Sequence, residues 1–114
     1  MRSRWAPGCG ALERGQASTR HRHRSQEGIY ILLEGVGRIR IDAELLTLAR
    51  LDAVLVEPDS VRQVFNDGEA TQLWLVIGAP LEAANTIAMT EDQLRFHYPD
   101  GPKALPPELE AAGS

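Results

Sequence analysis

The sequence predicts a single all-β domain, built as a sandwich or barrel of short strands. The longest apolar runs, at 29–33 and 73–77, have the length of strands, and turn-forming residues lie between the apolar runs. At 38–42, isoleucines alternate with charged residues, a pattern typical of a strand with one solvated face. A chain of 114 residues, 43% of them hydrophobic, is long enough for one core, so we expect one domain over 1–114.

Composition excludes several classes of protein. The formal net charge is −4, whereas general nucleic-acid binders are usually basic. Arginines are concentrated in the first quarter of the chain, where we interpret them as a solvated face. Cys9 is the only cysteine, so no internal disulfide can form, which suits a reducing compartment. The start lacks the apolar core of a signal peptide, and no apolar run is long enough to cross a membrane. We therefore expect a cytoplasmic protein that binds neither nucleic acid nor membranes.

The strands can be placed from apolar runs and turn signals. Pro7 and several glycines interrupt the first twenty residues, which leaves room for one or two short strands near Trp5 and Leu12. Further strands are predicted at 20–24, 29–34, 38–42, 44–48, 53–57, 61–66 and 71–78. Turns are predicted at 35–37, 42–44, 58–60 and 66–68.

The C-terminal region has a different pattern. Thr90 followed by Glu91 and Asp92 predicts a helix start, because a threonine cap and acidic residues in the first turn both stabilise helix N-termini. The segment 98–102, with two prolines and a glycine, ends that helix. The proline-containing segment 105–109 predicts an extended tail that packs on the barrel or on a partner.

A pair of histidines is the strongest functional signal. His21 and His23 lie two positions apart, and side chains at this spacing leave the same face of a strand. With Glu27 they form a candidate metal site of two imidazoles and a carboxylate. The alternative is a partly exposed pair in an arginine-rich strand, with Glu27 forming a surface ion pair with Arg22 or Arg24.

The residues around this pair resemble the first sequence motif of the cupins, in particular the small single-domain barrels of the cupin 2 type. Gly15, His21 and His23 fit the spacing Gly-x5-His-x-His, and Glu27 follows His23 after three residues. Gly35 fits the glycine that closes this motif.

Two later segments extend the resemblance. Segment 51–68 resembles the second cupin motif and 73–80 resembles the last strand of the barrel, so the match covers roughly 15–80. The resemblance implies a single jelly-roll-like cupin β-barrel at about 5–80, with a short helix and an extended C-terminal tail at about 81–114. It also implies histidines that point into the lumen of the barrel, and a homodimer.

The sequence departs from the family pattern at two metal-ligand positions. Counting back from Gly35, the glutamate position falls on Gly28, so Glu27 reaches the lumen only if a turn or bulge lies at 26–28. The third histidine position falls on Arg62 by two counts and on Gln63 by a third. Arginine cannot ligate a metal but suits a carboxylate or phosphate, whereas an inward Gln63 would offer only a weak amide ligand.

These residues give three functional hypotheses. The first is a barrel that binds a small anionic molecule, in which Arg62 holds the charge and His21 and His23 donate hydrogen bonds. Its candidate ligand-binding residues are Arg62, Gln63 and Tyr30. The second is a metal-dependent enzyme of the isomerase or dioxygenase kind, in which His21, His23 and Glu27 hold Fe, Mn, Ni or Zn. The third is a barrel that serves only as a scaffold while the tail docks on a partner. Absence of any cofactor stays an open alternative.

Other polar residues are given no role in the chemistry. His97 lies in the C-terminal region and is expected to have no catalytic function. Cys9 lies near no predicted general base, so nothing marks it as a nucleophile. Tyr30 and Trp74 are expected to belong mainly to the core.

Overall fold

The computed structural model describes residues 5–6, 8–80 and 90–113. In chain order, the elements are β1 Trp5–Ala6, β2 Cys9–Leu12, β3 Glu27–Glu34, β4 Gly37–Ile41, β5 Glu44–Leu48, β6 Ala53–Val56, β7 Arg62–Phe65, β8 Gln72–Ala79, α1 Glu91–His97 and α2 Pro107–Gly113.

The strands form two antiparallel sheets, which confirms the predicted all-β, jelly-roll-like fold. The order in the five-stranded sheet is β1-β2-β8-β3-β6, and the order in the three-stranded sheet is β5-β4-β7. Strands distant in sequence are neighbours within both sheets, as in jelly-roll barrels. The space enclosed between the sheets is called the lumen below.

A cluster of buried apolar side chains lies between the two sheets. Leu32 of β3, Ile39 of β4, Val64 of β7 and Trp74 of β8 are fully buried members of one cluster. The close packing explains why residue 37 is a glycine, because a Cβ there would lie 2.7 Å from Cζ2 of Trp74. The apolar core therefore occupies one part of the barrel, and the polar residues described below occupy another.

The predicted strand at 20–24 is wrong as a regular strand. The structure shows only an isolated antiparallel bridge between His21 and Arg62, in which the N–H of His21 donates to the Arg62 carbonyl at 3.0 Å. The N–H of His23 donates instead to the carbonyl of Pro58. The N–H of Arg22 donates to the carbonyl of His97, so the three N–H groups of 21–23 have partners in three different parts of the chain and no ladder forms.

The C-terminal region follows the prediction in part. Thr90 caps α1, its hydroxyl accepts the N–H of Gln93, and the Gln93 side chain accepts the N–H of Thr90. The predicted extended tail is wrong beyond Pro107, where α2 begins. Proline is compatible with the first helical position because the N–H that it lacks has no intrahelical partner there.

The tail packs on the outer face of the three-stranded sheet, which was expected to be solvated. Leu109 of α2 is buried against Phe65 and Ala17. Arg40 of β4 forms a salt bridge with Glu108, and both side chains are only about one-fifth exposed. The alternating pattern of β4 therefore marks a face covered by the chain's own C-terminal segment.

Candidate functional site

Alternation along β7 decides which residue enters the lumen. Arg62 shares a face with Val64, which belongs to the core between the sheets. Gln63 shares the opposite face with Phe65, and its amide Nε2 donates to the carbonyls of Ser18 at 2.9 Å and Ala104 at 2.8 Å. The predicted ligand-binding role of Gln63 therefore has no support in its position. Arg62 is the lumen residue.

The guanidinium of Arg62 is buried and held by main-chain carbonyls. The side chain is 1% exposed, and Nη2 donates to the carbonyl of Glu57 at 2.5 Å and reaches that of Pro58 at 3.4 Å. These carbonyls at the β6–β7 connection orient the guanidinium group but carry no formal negative charge. A fixed positive charge therefore stands inside the barrel.

The structure brings the predicted histidine pair together beside Arg62. The ring centroids of His21 and His23 are 5.0 Å apart, and the planes are nearly perpendicular at 86°. His23 is 9% exposed and His21 is partly buried. The bridge between His21 and Arg62 fixes their relative position through the backbone.

Sequence reasoning missed His97, the last residue of α1. It is 5% exposed, and its ring centroid lies 5.8 Å from that of His23. The next residue, Tyr98, is 7% exposed with its ring centroid 6.3 Å from that of His21. No local pattern indicates this contact, because it depends on where the tertiary fold places the C-terminal helix.

Arginines of the segment 20–24 contact α1 and the residues after it. The expected solvated face holds for Arg14 and Arg24, which are exposed, but not for Arg20 and Arg22, which are partly buried; Arg2 and Arg4 lie outside the described residues. The guanidinium carbons of Arg22 and Arg24 lie 4.3 Å and 3.9 Å from the ring centroid of Phe96, within range for cation–π contacts. Arg20 forms a 2.7 Å salt bridge with Asp100. Basic residues next to the histidine pair thus bind the segment that carries the third imidazole.

His21 is neutral near pH 7. Its pKa lies at about 4, below its ordinary value of 6.5, chiefly because of burial. A backbone hydrogen bond to Thr19 raises the pKa, whereas electrostatic interactions with His23, Arg62 and His97 lower it. Nδ1 of His21 lies 3.2 Å from both the carbonyl oxygen and the hydroxyl oxygen of Thr19. The neutral ring can therefore donate from Nδ1 to the carbonyl or accept there from the hydroxyl.

Tyr30 faces the same region of the lumen from β3. It is 6% exposed, and burial raises the pKa of its phenol, although the charge of Arg62 acts in the opposite direction. Its ring lies over Gly28, where a Cβ would come within 3.1 Å of the Tyr30 Cε1. An edge-to-face contact with Trp74 joins Tyr30 to the apolar core, as expected for both aromatic residues.

The donor set does not fit the metal site that the family resemblance implies. The Tyr30 ring fills the space beside Gly28, where the pattern calls for glutamate, and Arg62 stands where it calls for histidine. A guanidinium beside a divalent cation is strongly unfavourable at low dielectric. Across the described residues, no group of three or more His, Cys, Asp or Glu is placed to hold a metal ion.

Glu27 does not join the histidines. It is exposed at the start of β3 and is paired with Ala79 in a regular ladder, while its neighbour Gly28 is buried. The irregularity in the β3–β8 pairing lies between Leu32 and Glu34, not at 26–28. The backbone therefore gives Glu27 no turn or bulge that would direct its carboxylate inward.

Comparison with known proteins places this geometry in context. A family model described as "Cupin domain" matches residues 10–78. The protein TT1209 from Thermus thermophilus is 32% identical, with 63% of this chain and 69% of that chain covered and a TM-score of 0.61. A putative sugar phosphate isomerase from Acidithiobacillus ferrooxidans is 26% identical, with 65% of this chain and 51% of that chain covered and a TM-score of 0.57.

A Cupin 2 conserved barrel domain protein from Salinispora arenicola is 25% identical, with 60% of this chain and 57% of that chain covered and a TM-score of 0.53. This chain thus matches little more than half the length of the isomerase and of the Salinispora protein. The comparison with curated proteins finds no match. In the described part of the chain, neither helix is long and apolar enough to span a bilayer.

Proposed function

This chain belongs to the cupin family, and we propose that its barrel binds a small organic anion through Arg62. The observation that carries the proposal is the 1% exposed guanidinium beside His21, His23 and Tyr30. A guanidinium binds carboxylate or phosphate through parallel hydrogen bonds. The low dielectric around a buried side chain strengthens that attraction relative to water.

The similarity to solved structures supports the same ligand chemistry. One similar protein is described as a putative sugar phosphate isomerase, and a sugar phosphate is a small organic anion. Carboxylates and phosphates share the oxygen geometry that a guanidinium recognises, so both belong to the proposed class.

Ligand binding tests the proposal directly. Inorganic phosphate, n-propyl phosphate, glycerol 1-phosphate, succinate and malate are titrated by calorimetry, with thermal shift as a second measurement. We expect at least one to bind, and Arg62→Met to weaken that binding by about tenfold to a hundredfold, since hydrogen bonds to charged groups contribute ~1.5–3 kcal/mol. Arg50→Met, which changes an exposed arginine, is the matched control. If none of the five anions binds, or if Arg62→Met binds as wild type does, the proposal is wrong.

The metal-dependent enzyme stays an alternative that the donor set does not favour. Elemental analysis of protein purified without chelators tests it. A stoichiometric transition metal that is lost in His21→Ala would favour this alternative over anion binding.

The predicted homodimer is a further proposal, and an apolar row on the outer face of the five-stranded sheet supports it. Ile77, Ile29 and Leu55 are paired side by side across β8, β3 and β6 and are 49%, 39% and 55% exposed. Contiguous exposed apolar patches usually mark interfaces. A twofold axis near Ile29 would pack this apolar row against the same row of a second subunit. Such an isologous interface uses the same surface on both subunits and therefore gives a dimer.

Light scattering after size exclusion measures the assembly. Leu55→Lys is expected to shift a dimer to monomer, whereas Val36→Lys, at an exposed turn residue, leaves the mass unchanged. A monomeric wild type would contradict the dimer and leave the anion site unaffected.

A further inference from the structure

We propose that Gln26 is a further ligand-binding residue, whose side-chain amide donates a hydrogen bond to the acid group held by Arg62. The inference rests on the proposed function, because it assumes that Arg62 binds an anion. It adds an uncharged donor to the charged one, at the end of the barrel where β3 begins. A pair of glycines and the register of β3 carry the argument.

The two glycines lie opposite each other where β3 begins and β8 ends. Gly28 and Gly78 are partners in the antiparallel ladder, so Cβ atoms added to them would point to the same face of the sheet. That face is the inner one, because Tyr30, two positions after Gly28, belongs to the core cluster. The glycines therefore leave space on the inner face that side chains of other residues can fill.

The Gln26 side chain fills the space over Gly78. A Cβ on Gly78 would lie 1.7 Å from Nε2 and 2.7 Å from Cδ of Gln26, so the amide lies where a side chain of residue 78 would begin. The Tyr30 ring fills the space over Gly28 in the same way, with Cε1 3.1 Å from the position of a Cβ there. The partly buried amide of Gln26 therefore lies beside the phenol on the inner face, whereas its neighbour Glu27 is exposed.

The register of β3 against β6 connects Gln26 to the arginine. Gly28 is opposite Val56, the last residue of β6, and continuing this antiparallel register past the strand ends sets Gln26 level with Pro58. The Pro58 carbonyl lies 3.4 Å from Nη2 of Arg62. The amide and the guanidinium are thus brought to the same end of the lumen.

The two groups have complementary chemistry toward an acid. Arg62 supplies a fixed positive charge, whereas the Gln26 amide is neutral and donates from its NH₂ group. A hydrogen bond from an amide N–H to a carboxylate or phosphate oxygen is charge-assisted and stronger than one between two neutral groups. A neutral donor therefore strengthens anion binding without placing a second positive charge in the barrel, which would be costly to bury.

Deleting the amide and displacing it should have the same effect. Gln26→Ala deletes the amide, whereas Gly78→Ala puts a methyl group where the amide lies and displaces it. The Kd of each anion that binds, among inorganic phosphate, n-propyl phosphate, glycerol 1-phosphate, succinate and malate, is measured by calorimetry on the full chain. We expect each variant to raise the Kd about tenfold, and the double variant to raise it no further, because both changes remove one interaction.

Two matched variants lie at the opposite end of β7 from Arg62. Gln16→Ala removes another partly buried glutamine, whose main-chain carbonyl accepts the N–H of Asn66. Gly68→Ala adds a methyl group that would lie 3.6 Å from Oδ1 of Asn66, an ordinary contact distance. Both should bind anions as wild type does, and thermal melting verifies that all variants are folded.

The outcomes separate this inference from the proposed function. If Gln26→Ala binds as wild type does, or if its effect and that of Gly78→Ala multiply in the double variant, the role of Gln26 is wrong while anion binding through Arg62 stands. Failure of every anion to bind wild type would overturn the proposed function itself.

Discussion

The two faces of β7 differ in what they do with buried polar groups. All four residues of the strand are buried, and each face carries one polar side chain and one apolar side chain. On the outer face, Gln63 donates to two carbonyls and joins segments distant in sequence. On the inner face, Arg62 places a charge near imidazoles and a phenol. Burial alone therefore does not distinguish the two polar residues, whereas charge beside titratable groups makes Arg62 the candidate for function.

The largest expected effect on stability lies on the outer face. Phe65 is fully buried between Ala17 and Leu109, and truncating a buried phenylalanine leaves a cavity. We expect Phe65→Ala to lower the free energy of unfolding by ~3–5 kcal/mol, measured by urea denaturation. Anion affinity of the folded variant should match wild type. A variant that kept its stability but lost anion binding would reverse the roles given to the two faces.

The inner face should respond to pH. The pKa of His21 is about 4 in the folded protein and 6.5 as its ordinary value, so below pH 6.5 the unfolded chain binds a proton that the folded chain does not. Stability is therefore lost as the pH falls from 6.5 towards 4, by up to ~3 kcal/mol from this group. Below the folded pKa the contribution is constant.

Comparison of wild type with His21→Gln isolates this contribution from the titration of carboxylates. The free energy of unfolding of both proteins is measured by denaturation from about pH 7.5 to about pH 4. As the pH falls, wild type should lose more stability than the variant. A difference that is independent of pH would contradict the neutral, desolvated state of His21.

Two substitutions of polar by apolar residues, one on each face of β7, sharpen the comparison between the faces. Gln63→Leu removes the donor of two part-buried carbonyl hydrogen bonds and should cost ~1–3 kcal/mol of stability without changing anion affinity. Arg62→Met removes a buried charge, so its effect on stability should be smaller or even favourable, while anion binding is weakened by about tenfold to a hundredfold. Urea denaturation measures the stability of both variants, and calorimetry measures their anion affinity. Equal effects of the two variants on anion affinity would contradict the roles given to the two faces.

The sequence was sufficient for the barrel because its signals are local or shared by the family. Strand-length apolar runs place β3 to β8 within a few residues, and Thr90 with Gln93 marks the start of α1. The candidate site was only partly predictable. Arg62 or Gln63 could face inward until the register of β7 against β4 was known. The position of His97 beside His23 depends on a contact between chain segments far apart, for which no periodicity gives a signal.

The smallest expected effect lies at the N-terminus of α1, where stability of the helix and anion binding can be separated. Thr90→Ala removes the capping hydroxyl and should cost ~1 kcal/mol by urea denaturation. Because Arg22 and Arg24 hold the other end of α1 through Phe96, His97 should keep its place against His23. The variant should therefore keep the wild-type anion affinity, measured by calorimetry. If the affinity falls as far as in Arg62→Met, the helix cap and not the arginine contacts positions the residues around the site.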